Sequence, residues 1–206
     1  MWNWQYLVSV ALITVIVLSI GAVLWNMDSG SLTLEPGDGT NGAWWRGASN
    51  AAVTIYVFPD FTCPACVEKE RMVLQALDMY PGILRMVYHH YPSSSFGQTV
   101  AEALEAAGEQ GKFWELHDRL LVDPPGDISE LKACAVEIGL DMQKFDEALD
   151  SGRFTEKVER DKEEAISRGI KHVSVFISGT EYGHNPGTLS DLCAAIDEEL
   201  ERIAKR

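Results

Sequence analysis

The stretch FPDFTCPACVEK, residues 58–69, sets two cysteines two residues apart. Such a pair can exchange electrons as a dithiol/disulfide couple, hold a metal ion as thiolates, or close a small local disulfide. Its surroundings favour the first. The preceding run Val53-Thr54-Ile55-Tyr56-Val57 reads as a buried strand. Pro64 fits the first position of a helix, where a missing N–H costs nothing, so Cys63 falls at the capping position. A sulfur there faces unpaired backbone N–H groups and the positive end of the helix dipole. Those features can bring a CxxC thiol from a pKa of about 8.5 to roughly 3.5 to 7.5. Cys66, one turn along, is placed to attack and resolve a mixed disulfide, so Cys63 is the attacking sulfur and Cys66 the resolver.

The neighbours have smaller roles. Asp60, three residues before Cys63, is expected to bond the loop, with an influence on the thiol as the second reading. Phe58 is expected in the core and Phe61 at its rim, and Ala65 brings no charge. Cys134 and Cys193 fall on apolar helix faces, where a cysteine is most often a small buried hydrophobe; a disulfide between them is the other reading. His89 and His90 are neighbours in a predicted strand, point to opposite faces and cannot share one ion. His117 shares an apolar face with Phe113 and Leu116 and reads as a hydrogen-bonded core histidine, while His184 sits in a turn. No phosphate loop, Ser-His-Asp order or catalytic carboxylate pair is present.

The elements that must position the pair follow from periodicity. A helix after Pro64 carries Val73, Leu74, Leu77 and Tyr80 on one face; Pro81-Gly82 stops it, and a second strand starts at Ile83. Between Gln98 and Ser151 the pattern changes to short helices. Asp127 with Glu130, and Thr188 with Asp191, read as capping boxes. The run from Glu156 to Arg168 reads as a helix with a solvated charged face. A strand returns from Val173, and a last helix buries Leu189, Leu192, Cys193, Ile196, Leu200 and Ile203. This predicts an α/β domain with a helical block inserted between two parts of one sheet.

The chain has 206 residues and a formal net charge of −14, which excludes nucleic acid as the expected partner, because phosphate contacts need clustered Lys and Arg. Four cysteines are too few for a disulfide scaffold at this length. Residues 6–25 run uncharged with Trp2, Trp4, Tyr6 and Trp25 around them, the length and aromatic bracketing of a membrane-spanning helix. Residues 1–27 are thus expected to be an uncleaved signal-anchor, with a cleaved signal peptide as the competing reading, 28–49 a flexible linker, and 50–206 a domain outside the cytoplasm with its helical insertion at about 95–151. Trp44 and Trp45 are expected to pack on the domain edge.

The run VTIYVFPDFTCPAC resembles the active-site entry of the DsbA-like thiol:disulfide oxidoreductases. The stretches AAGEQGKFWELHDRLL, EIGLDMQKFDEALDSGRF, VERDKEEAISRGI and LCAAIDEEL resemble their successive helices in order. The resemblance spans roughly residues 47–202. It implies a thioredoxin-like fold with an inserted α-helical domain and dithiol chemistry through Cys63 and Cys66. With the anchor expected from residues 6–25, this makes a membrane-anchored enzyme with no cofactor beyond that redox-active disulfide. The implied partners are proteins bearing thiols or disulfides, together with a redox partner protein. One departure stands out: where the family usually carries Thr-Pro or Val-Pro with a cis bond, this chain has Val173-Ser174, and Pro186 lies beyond the strand. A non-proline cis bond costs about 2.5 to 4 kcal/mol, so a trans bond and a reshaped loop beside the pair are expected. The change brings His172 close to the sulfurs. Hence the alternative reading is a thioredoxin-fold Cu or Zn module using Cys63, Cys66 and His172.

Overall fold

A computed structural model describes residues 43–167, 175–177, 180–181 and 187–205. Residues 1–27, and with them the expected span 6–25, lie outside the described residues, as do His172, Val173, Ser174 and His184.

The strands β1 (Trp44–Gly47), β2 (Val53–Val57), β3 (Leu84–Tyr88), β4 (Val175–Ile177) and β5 (Thr180–Glu181) form one sheet in the order β1-β3-β2-β4-β5. β2 consists of β-branched and aromatic residues, and every second residue of β2 and β3 is buried, which is the period-2 pattern of a strand packed on one face. They run parallel, Val53 beside Leu84 and Val57 beside Tyr88, joined through helix α1 (Pro64–Met79). β1 and β4 flank them antiparallel, with Trp44 opposite Tyr88 and Ile55 opposite Ile177.

Between β3 and β4 lie α2 (Ser95–Glu109), α3 (Phe113–Val122), α4 (Ile128–Glu137), α5 (Met142–Asp150) and α6 (Thr155–Ser167); α7 (Leu189–Ala204) follows the sheet. The core is continuous from the sheet into this helical block, linking Ile55, Met86 and Tyr88 to Leu104, Phe113, Leu131 and Phe145. Tyr80, at the C-cap of α1, donates its hydroxyl to Asp197 on α7 at 2.9 Å.

Three local expectations need correction. Residues 44–47, assigned to the linker 28–49, form a strand. Trp44 stacks on Phe113 with ring centres 4.3 Å apart, and Arg46 takes a buried place, so folded structure begins before residue 50. Asp127 does cap α4, accepting from the Ser129 and Glu130 N–H groups, but the Glu130 carboxylate accepts from Gly126, one residue further back than a capping box requires. Within the charged run of α6, Asp161 does not belong to the solvated face but is buried with Val158 and Ala165.

Candidate active site

Cys63 occupies the N-cap of α1 in an extended backbone conformation, and Pro64 takes the first helical position. Its carbonyl accepts from Cys66 N–H at 2.9 Å and Val67 N–H at 3.2 Å, which begins the helix. The Cys63 side chain makes no capping hydrogen bond and no acidic residue stands in the first turn, so the positive field of the helix head faces the sulfur. Cys63 and Cys66 are joined in a disulfide with Cα atoms 5.2 Å apart. The two sulfurs differ in access: Cys63 is half-buried, whereas Cys66 is 3% exposed. Pro64 and Ala65 are exposed between them. An incoming group therefore reaches Cys63 first.

Asp60 anchors the approach to the pair. It is buried, its Oδ1 accepts from the Thr62 N–H and hydroxyl, and its Oδ2 accepts from the Ser93 N–H and hydroxyl. Burial alone would raise its pKa, but the Ser93 and Thr62 hydrogen bonds outweigh it and hold the carboxyl below the ordinary carboxylate range. Phe61, expected at the rim, is instead buried, edge-on to His117 with centroids 5.6 Å apart. The insertion supplies a wall there that the local sequence does not show.

Beneath α1 lies a polar chain that sequence reasoning missed. Glu70, one turn beyond Cys66 and 1% exposed, bonds His117 Nε2 at 2.6 Å. His117 Nδ1 meets Asp118 at 2.9 Å, and Arg46 grips both oxygens of Asp118 at 2.9 Å. His117 is thus the hydrogen-bonded core histidine that its apolar face predicts. The legible signal for Glu70 was its place in the stripe Cys66, Val67, Glu70, Val73, Leu77, a glutamate at a buried helical spacing.

His89 and His90 follow β3 and are both buried. His90 bonds Glu105 at 2.8 Å, while His89 stacks on Phe58 with ring centres 5.0 Å apart. Cys134 and Cys193 are free thiols, the first buried and the second half-buried with its sulfur 3.9 Å from that of Met79. Among the described residues no group of three His, Cys, Asp or Glu side chains is arranged to hold a metal. The Cu or Zn reading needs both thiolates of the reduced pair, and its third ligand, His172, lies outside the described residues.

Comparison with known proteins agrees with this geometry. The family described as thioredoxin matches residues 40–198. A thioredoxin-like oxidoreductase from Silicibacter pomeroyi superposes with a TM-score of 0.69 at 24% identity, covering 80% of this chain and 95% of that one. The thiol-disulfide exchange protein alpha-DsbA2 from Wolbachia pipientis superposes at 0.65 with 16% identity, covering 75% and 85%. A Na(+)/H(+) antiporter NhaA 3 from Salinispora tropica is 33% identical over 158 residues, 73% of this chain but 24% of that protein. The chain thus spans about a quarter of the length of the curated relatives it matches. It belongs to the thioredoxin family, and it shares its fold with the two solved structures.

Proposed function

We propose that this chain is a membrane-anchored thiol:disulfide oxidoreductase that exchanges disulfides with protein substrates outside the cytoplasm. The observation that carries the reading is the unequal access of the two sulfurs at the head of α1, Cys63 reachable and Cys66 covered.

In the oxidising direction a substrate thiolate attacks Cys63 Sγ. A bond forms between substrate and Cys63, the Cys63–Cys66 bond breaks, and Cys66 leaves as a thiolate that takes up a proton. A second substrate thiolate then attacks the substrate sulfur of the mixed disulfide and expels Cys63 as the thiolate that the helix head stabilises. The substrate loses two electrons and the pair gains them. Run backwards, the same steps reduce a substrate, with Cys66 resolving the mixed disulfide. No cofactor beyond the disulfide takes part, and a redox partner protein resets the pair.

The uncharged run 6–25 supports the anchor, and a compartment that permits disulfides suits the chemistry. Ion antiport is not carried over from the antiporter relatives, of whose length the match covers about a quarter. The test is exchange with a thiol-bearing protein in glutathione buffer, with metal assayed on the same sample. Cys63→Ser is expected to abolish exchange, and full activity in that variant refutes the reading. A reduction potential near about −120 to −200 mV would assign an oxidising or isomerising role, and one near about −270 mV a reducing one. Stoichiometric Cu or Zn that blocks the titration would favour metal handling instead.

A further inference from the structure

Asp60 is 4% exposed and accepts four hydrogen bonds, every one from a neutral donor: Thr62 N–H at 2.8 Å and hydroxyl at 2.7 Å, Ser93 N–H at 2.8 Å and hydroxyl at 2.5 Å. Among the described residues no hydrogen bond or ion pair joins it to Lys, Arg or His. What faces it instead is the start of two helices. A Cβ built on Gly97, in the first turn of α2, would lie 2.9 Å from Asp60 Oδ1, so only glycine admits the carboxylate this close to that helix end. On the other side the Asp60 carbonyl accepts from Cys63 N–H at 3.0 Å, closing the turn that opens α1. A full negative charge is therefore kept in a desolvated place at the heads of α1 and α2.

Four donors converge on the two oxygens, so the loop uses the carboxylate as an all-acceptor group, and the charge comes with it. The charge has a consequence for the pair. Asp60 Oδ1 is 2.8 Å from Thr62 N, and bond lengths from there put Cys63 Sγ no further than about 10 Å away, through protein that screens less than water. Reduction adds two electrons and two protons to the disulfide, and Cys63 then sheds a proton to become the thiolate. A nearby anion disfavours that thiolate and hence the reduced state.

Resting on the reading of Cys63–Cys66 as the redox centre, we propose that Asp60 is a positioning residue whose buried charge makes the pair less oxidising than an uncompensated helix head would. Other ionisable groups around this end are Glu68 and Lys69 on α1, the Glu70–His117 pair beneath α1, and Tyr88 on β3, which senses the Asp60 charge. None of them bonds Asp60.

The experiment uses the full chain and reads two quantities at low ionic strength: the Cys63 pKa, from the ultraviolet absorbance of the thiolate, and the equilibrium constant with glutathione. Asp60→Asn is expected to lower the Cys63 pKa by about one unit and to shift the equilibrium about tenfold towards the dithiol, about 30 mV. An Asp60→Asn protein that still exchanges disulfides with both quantities unchanged overturns the proposal. Thr62→Ala and Ser93→Ala remove donors while keeping the charge, so each is expected to move the equilibrium by a smaller factor in the opposite direction. A shift in the same direction as Asp60→Asn would assign the effect to hydrogen bonding and overturn the charge argument. Should Asp60→Asn not fold, these two variants decide alone, by the sign of their shift. Loss of all exchange in the unsubstituted chain is a separate outcome, which removes the redox reading itself.

Discussion

His117 on α3 and Glu70 on α1 share a 2.6 Å hydrogen bond at a point closed to solvent. Because Glu70 follows Cys66 by one turn, this bond ties the helix carrying the cysteines to the inserted helical block. Asp118 and Arg46 extend the tie to β1. Burial alone would push the His117 pKa down, but Glu70 and Asp118 outweigh it and raise it above the ordinary histidine value.

A raised folded-state pKa sets the sign of the pH dependence. The contribution of His117 is fully present below about pH 6.5 and is lost as pH rises through the raised value. Urea unfolding midpoints are therefore expected to fall from neutral to alkaline pH, and His117→Gln to lack that slope. Glu70→Leu, which leaves the buried imidazole bonded to Asp118 alone, is expected to cost about 1.5 to 3 kcal/mol. A cost under about 1 kcal/mol would show that the pair is not the tie described.

Cys66→Ser should trap what Cys63 catches. With the covered sulfur gone, a mixed disulfide between Cys63 and a substrate protein has no internal resolver, so adducts are expected to accumulate on non-reducing gels and vanish with added thiol. If Cys63→Ser traps the adducts and Cys66→Ser does not, the assignment of attacker and resolver is reversed.

How much the sequence discloses depends on how local the cause is. Strand, CxxC, Pro64 and helix are consecutive, and each acts on its neighbours, so the geometry of the cysteine head was legible. Glu70 was legible only as an anomaly, since its partner lies 47 residues on and nothing near it explains a buried carboxylate. β1 was hidden for a similar reason: Trp44–Gly47 sits after a Gly- and Ser-rich run, and its strand state comes from pairing with β3 and from Phe113, both distant in the chain. Phe61 moved from rim to core because His117 covers it.

Asp161 predicts an acid limb. It is 5% exposed, held by Lys157 Nζ at 2.7 Å and by His90 N–H at 3.0 Å. Burial would raise its pKa, but His89, whose Nδ1 lies 3.8 Å away, together with His90 and Lys157, carries it down to about 2. A depressed pKa contributes stability above about pH 4 that is lost as pH falls towards 2, here about 2 kcal/mol. Asp161→Asn is expected to flatten the stability profile between pH 4 and 2; an unchanged limb would place its origin elsewhere.

Gly108 and Trp44 give a prediction in which the usual propensity argument reverses. Glycine within a helix normally costs up to about 1 kcal/mol relative to alanine, so Gly→Ala at an unobstructed position in α2 should stabilise. At Gly108 a Cβ would overlap the Trp44 ring, which is pinned by its stack on Phe113 and by a 3.0 Å bond from its indole N–H to Glu105. Gly108→Ala is therefore expected to destabilise by about 1 to 3 kcal/mol, read from the denaturation midpoint. Trp44→Leu removes the obstacle, so adding Gly108→Ala to that variant should cost far less than it does alone, with a coupling of at least about 1 kcal/mol. Additive costs would mean that β1 does not dock against α2 through this pair.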